Sequence, residues 1–170
     1  MPLIPSLGEA PKPGHFGPVV RLLDLGMVTT IEAVRSQGLD VQVFEVGQPL
    51  QAVLAQYRDG HVKGVREYFG PPIDDATTEN SFISDGGVET TQSLTNGQDA
   101  ASVYQYADQN HSAIAHSRPY DFAILWGNPL VLGGPPPYGV YWSDGKFDFS
   151  VNATADVPED VLAMALSIYC

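Results

Sequence analysis

The residues with most chemical potential lie in one acidic stretch. Between Arg66 and Arg118 there is no Lys or Arg, while Glu67, Asp74, Asp75, Glu79, Asp85, Glu89, Asp99 and Asp108 all fall inside. Carboxylates at this density could hold a hard cation, form an acid and base pair for glycoside hydrolysis, or dock on a basic partner. Asp74 and Asp75 with Glu79 lack the spacing, the glycine and the terminal Glu of an EF-hand loop. A paired-carboxylate site needs a separation that only the fold can set. The remaining use is a docking surface, for which Asp74, Asp75, Glu79, Asp85 and Glu89 are the candidate residues.

Other chemistries find less. His111 and His116 stand five residues apart, about 140° around a helix and on opposite sides of a strand, so one element cannot turn both to one metal. His15 and His61 have no spaced partner, and no metal ligand is assigned. There is no Gly-x-Ser-x-Gly elbow, no phosphate-binding Gly-Lys-Ser/Thr loop and no Gly-x-Gly-x-x-Gly turn, so neither a catalytic residue nor a cofactor is expected. Asn152-x-Thr154 matches a glycosylation acceptor, with nothing to indicate a secretory route.

The whole chain carries 8 Lys and Arg against 20 Asp and Glu, a formal net charge of -12 in 170 residues. Such a surface repels phosphate backbones, which excludes nucleic-acid binding through basic patches. With 44% apolar residues the chain is rich enough to fold around a single core without staples. The single cysteine, Cys170, rules out an internal disulfide and favours a reducing compartment. Residues 1–18 show no basic segment followed by an apolar run, and no stretch is apolar enough to span a membrane. The expected location is therefore cytoplasmic, or extracytoplasmic if a leader peptide has been removed.

These residues need elements to position them. Residues 1–18 hold five prolines and three glycines and read as an extended lead-in to a single domain over 19–170. The apolar residues from Val19 to Leu25 fit a short helix, and Thr29-x-x-Glu32 has capping-box spacing for a helix over 30–37 that Gly38 ends. The alternation Leu39-Asp40-Val41-Gln42-Val43 predicts a half-buried strand. After Pro49, the spacing of Leu50, Val53, Leu54 and Tyr57 predicts a helix that stops at Gly60, followed by a strand over 62–69. The polar run 70–97 reads as loops with a weak hairpin around Asp85-Gly86-Gly87. A helix is predicted over 98–109, a buried strand over 120–126 and a stiff connector at Gly133 to Pro137.

The best-specified element is a hairpin over 138–151. Asp144-Gly145 suits a two-residue turn in which both positions take positive φ. That turn pairs Ser143 with Lys146, Trp142 with Phe147, Val140 with Phe149 and Tyr138 with Val151, and it turns the apolar side chains to one face. Tyr141 then points the other way, as an anchor for a partner. Pro158, Glu159 and Asp160 suit the first turn of a helix whose Val161, Leu162, Ala165 and Ile168 would lie across the aromatic face. Through Trp142, Asp144-Gly145, Phe147, Phe149, Leu162, Ala165 and Ser167, segment 138–168 resembles the C-terminal Trp, hairpin and helix of bacterial envelope lipoproteins and anti-sigma-factor regulators. The resemblance implies an extracytoplasmic sensing or ligand-binding domain, covers about a fifth of the chain and assigns no functional residue.

The fold expected is α+β, an antiparallel sheet with helices mainly on one face. The function expected is non-enzymatic docking on a basic protein, possessing the size and charge of immunity proteins and antitoxins that occlude a toxin's active site. An envelope sensing domain and a hydrolase with paired carboxylates but no motif are the alternatives.

Overall fold

The computed structural model describes residues 20–95, 112–117, 120–127 and 133–169. Their strands are β1 (Met27–Thr29), β2 (Leu50–Arg58), β3 (His61–Phe69), β4 (Val88–Leu94), β5 (Ser112–Ser117), β6 (Tyr120–Trp126), β7 (Pro137–Ser143) and β8 (Phe147–Thr154). The helices are α1 (Ile31–Ser36), α2 (Glu79–Ser84) and α3 (Pro158–Leu166). All eight strands join one antiparallel sheet in the order β1-β2-β3-β4-β8-β7-β6-β5. The fold class is α+β, as expected. Among the described residues, no helix is long and apolar enough to cross a membrane.

Alternation along each strand gives the sheet two unequal faces. The inner face carries the main core, where α1 and α3 pack on Val53, Val65, Phe149, Val151 and Val140. Trp142 lies at its centre, stacked on Phe149 at 5.0 Å and meeting Phe44 edge-on at 6.2 Å. Its indole N–H donates to the Tyr169 hydroxyl at 2.7 Å, which satisfies the one polar group of the ring. The outer face carries a smaller core in which Phe82 and Ile83 of α2 meet Leu54, Tyr68 and Leu22. Two of the described helices thus share the inner face and α2 alone takes the outer one.

Several sequence expectations need correction. β2 was to be a helix. Its consecutive Val53, Leu54 and Ala55 are all buried because a central strand meets a core on each side, and apolar residues on both faces imitate a helical period. Asp59 and Gly60 then make the two-residue turn, with φ of 54° and 78°, that was assigned to Asp144-Gly145. In the later hairpin only Gly145 has positive φ, and the Asp144 carboxylate accepts from the Lys146 and Phe147 amides. The register moves by two, pairing Ser143 with Asp148, Trp142 with Phe149, Val140 with Val151 and Tyr138 with Ala153. A shift of two preserves the faces, so the apolar side chains still point inward.

Polar run 70–97 holds α2 and β4 instead of loops, and Asp85-Gly86-Gly87 joins them without forming a hairpin. Thr78 and Ser81 cap α2 reciprocally. The α1 cap is Thr30, one residue later than expected, accepting from the Ala33 amide at 3.1 Å. Residues 22–24 form only a single 3-10 turn. The segment 39–46 is not a strand: Leu39 and Val41 are buried as the alternation implied, but Val43 is exposed and Phe44 is buried in its place. Its backbone bonds to side chains instead of a ladder. Gln92 accepts from the Gln42 amide at 2.7 Å and donates to the Gln42 carbonyl at 2.8 Å, while Arg35 donates to the Val41 carbonyl at 2.9 Å. The lead-in 1–18 and the helix predicted over 98–109 lie outside the described residues.

Candidate functional site

Acidic residues gather at one end of the sheet. Phe69 pairs with Val88 and Pro137 with Thr154, so the β3–β4 connection and the β8–α3 turn leave the sheet at the same edge. Ile83 and Thr154 meet there through the Thr154 hydroxyl, 3.4 Å from the Ile83 carbonyl. Asp74 and Asp75 precede α2 and are exposed; Asp85 closes α2 and is exposed; Asp156 adds an exposed carboxylate from the neighbouring turn and Asp160 one from the first turn of α3, on the other face of the sheet. Their field is felt locally: the Tyr138 hydroxyl is held above its ordinary pKa by burial, and then by Glu159 and Asp156.

Beneath these residues lies a polar cluster that fixes α2. Arg66, Tyr68 and Glu89 share the outer face because β3 alternates and Glu89 stands opposite Tyr68 in register. The Tyr68 hydroxyl donates to Glu89 Oε2 at 2.7 Å and the Asn152 amide to Glu89 Oε1 at 3.2 Å. One guanidinium nitrogen of Arg66 sits 3.4 Å from Glu89 and 3.7 Å from Glu79. The Glu79 side chain is 40% exposed and that of Glu89 only 3%. Burial, then the charge of Glu89 and a hydrogen bond to it, raise the Glu79 carboxyl well above the usual carboxylate range, against the pull of Arg66. Burial and the same carboxylate push the Tyr68 hydroxyl up, so it stays a donor.

The cluster sorts the sequence candidates. Glu79 and Glu89 come together, and Glu89 belongs to the interior instead of the exposed surface assigned to it. Asp74 bonds within its own loop, accepting from the Ala76 amide at 2.8 Å and the Thr77 hydroxyl at 3.2 Å. Asp85 stands beyond the other end of α2. Tyr141 does lie on the outer face, half-buried on β7 and away from the exposed aspartates. His116 pairs with Asp121 at 2.8 Å. Among the described residues no group of three or more His, Cys, Asp or Glu is placed to hold a metal.

Arg66 and Tyr68 were not singled out from sequence, and Asn152 only within a glycosylation pattern. Strand 62–69 was legible and puts Arg66 and Tyr68 on one face, but with β4 read as loop Glu89 had no position opposite them.

On the inner face Glu67 is fully buried, accepting from Gln92 at 2.9 Å through one oxygen. Its second oxygen and the Thr90 hydroxyl opposite have no hydrogen-bond partner among the described residues. Burial pushes the Glu67 carboxyl up to about 7, opposed by Gln92 and Arg35.

No protein-family model matches this chain, and no curated protein or solved structure matches it.

Proposed function

We propose that this protein is a non-enzymatic docking protein that engages a basic protein partner through the acidic end of its sheet, as immunity proteins and antitoxins engage a toxin. The observation that carries the reading is the segregation of charge. Asp74, Asp75, Asp85, Asp156 and Asp160 are exposed together, while the cations nearest them are already held, Arg21 by Asp24 and Arg66 by Glu79 and Glu89. Arg58 and Lys146 lie at the opposite end, at the β2–β3 and β7–β8 turns, where Asp59 and Asp144 accompany them, so uncompensated negative charge gathers at the α2 end. The buried cluster serves the same reading, since it holds α2 rigid and so keeps the aspartates at its two ends in fixed relative positions. A hydrolase with paired carboxylates would draw on Glu79 and Glu89. Glu89, however, has both oxygens engaged by Tyr68, Arg66 and Asn152, which suits an anchor for α2 better than an acid or base facing substrate.

The test begins with capture from the source organism's lysate at low salt, elution along a salt gradient and mass spectrometry. The recovered partner should be basic. Its association with the double variant Asp74→Lys, Asp75→Lys should slow by about tenfold, with dissociation changed far less. Association indifferent to both salt and this charge reversal would remove the acidic end as the docking surface.

A further inference from the structure

Beside the acidic end, the outer face of β6, β7 and β8 is hollowed by a groove of about 270 Å³, lined by Leu125, Gly139, Tyr141, Ser150 and Asn152 and reaching Pro137. Its floor is Gly139. The register sets Gly139 between Leu125 and Asn152, and Tyr141 between Ala123 and Ser150, so a missing side chain at the centre of two cross-strand rows makes the hollow. A Cβ on Gly139 would come within 2.8 Å of the Asn152 side-chain oxygen. That contact also shows where the amide points. One N–H of its amide is given to Glu89, and its oxygen is turned over the glycine, where it accepts no hydrogen bond from the described residues. Glu89 therefore acts as a positioning residue that presents Asn152 as an acceptor.

We infer that this groove binds a neutral, hydroxyl-bearing ring of about monosaccharide size. The volume sits at the lower limit of small-molecule pockets and admits one ring. Tyr141 and Leu125 offer an apolar wall against which the C–H face of a sugar can lie. Asn152 Oδ1 takes a hydroxyl proton, and Ser150, whose hydroxyl lies 2.5 Å from that of Thr91, supplies a second polar contact from the same side. Anionic ligands are disfavoured by Glu89 directly behind Asn152. Among the described residues no carboxylate lines the groove itself to hold a cation. This site adjoins the docking end and shares Glu89 with it through Asn152, but its test needs no protein partner.

The experiment is a titration of the 15N-labelled full chain with glucose, galactose, mannose and N-acetylglucosamine, each to about 50 mM, where a roughly millimolar Kd would saturate. The amides of Gly139, Tyr141, Ser150 and Asn152 should shift with at least one sugar. Tyr141→Ala should weaken that binding by at least about tenfold, and Gly139→Ala should abolish it by filling the floor, each variant being checked for native amide dispersion. Should either variant fail to fold, Ser150→Ala, expected to weaken binding several-fold, takes its place. Asp85→Ala should bind as the unaltered protein does. The inference is overturned if none of the four sugars moves the groove amides, if the shifts map elsewhere, if folded groove variants bind unchanged, or if uracil binds there and the sugars do not.

Discussion

Glu67→Gln isolates one buried ionisation. The Glu67 carboxyl, raised from 4.5 to about 7 by burial, keeps its proton in the folded chain over a range where the unfolded chain has lost it. Below 4.5 both forms are protonated and nothing is lost. From 4.5 to about 7 the unfolded state sheds the proton first, so stability falls as pH rises, and above about 7 the loss is complete. The full difference corresponds to about 3 kcal/mol, of which about 2.5 kcal/mol falls between roughly pH 5 and pH 8. Glutamine cannot ionise, and its side-chain oxygen can still accept from Gln92 while its amide takes the place of the acid O–H. Urea unfolding of both proteins at the two pH values measures the difference. The unaltered chain should lose about 2 to 3 kcal/mol more than the variant on going from low to high pH. Parallel losses in the two proteins would refute the assignment of a neutral, buried Glu67.

Three further outcomes are expected. Gln92→Ala removes the side chain that brackets Gln42, so the Gln42 amide should exchange with solvent at least about tenfold faster while the β3–β4 amides keep their protection. Tyr68→Phe leaves Glu89 without its 2.7 Å donor and should cost about 1 to 3 kcal/mol in urea unfolding, because the acceptor stays buried. Gly60→Ala forces a side chain into a φ of 78° and should cost about 1 kcal/mol, whereas Asp59→Gly at the preceding position should cost less, both read from urea midpoints.

The sequence was legible where one face of an element was wet. β7, β8 and α3 alternate or carry an apolar stripe, and together with β3 and β6, which were legible as short runs despite burial of consecutive residues, each starts within a residue of its expected place, although β8 runs three residues further. β2 misled because Leu54 is as buried as Val53 and Ala55, and β4 because Thr90 and Gln92 are buried polar residues that read as loop. The two Asp-Gly pairs differ only in context. At 59–60 the flanking Arg58 and His61 pair directly, while at 144–145 the Asp144 carboxylate gathers the next amides and widens the turn. In the acidic stretch the individual residues were visible, but their division into exposed aspartates and a buried glutamate depends on α2 folding back over β3. The groove was less accessible still, since a glycine in a hairpin strand becomes a floor only once the register of β6 and β8 is known.

The sheet order also bears on how the chain folds. β1 to β4 form one meander and β5 to β8 another, each made of neighbours in sequence, and the two meet only at β4 and β8. Across that seam Glu89 and Asn152 are 63 residues apart, so their pairing closes a far longer loop than any hairpin does. The halves can assemble locally and early, while the seam sets the rate at which they become one sheet. Because Glu89 also anchors α2, and Asn152 its own side of the groove, neither the acidic platform nor the groove is complete until that last and slowest pairing is made.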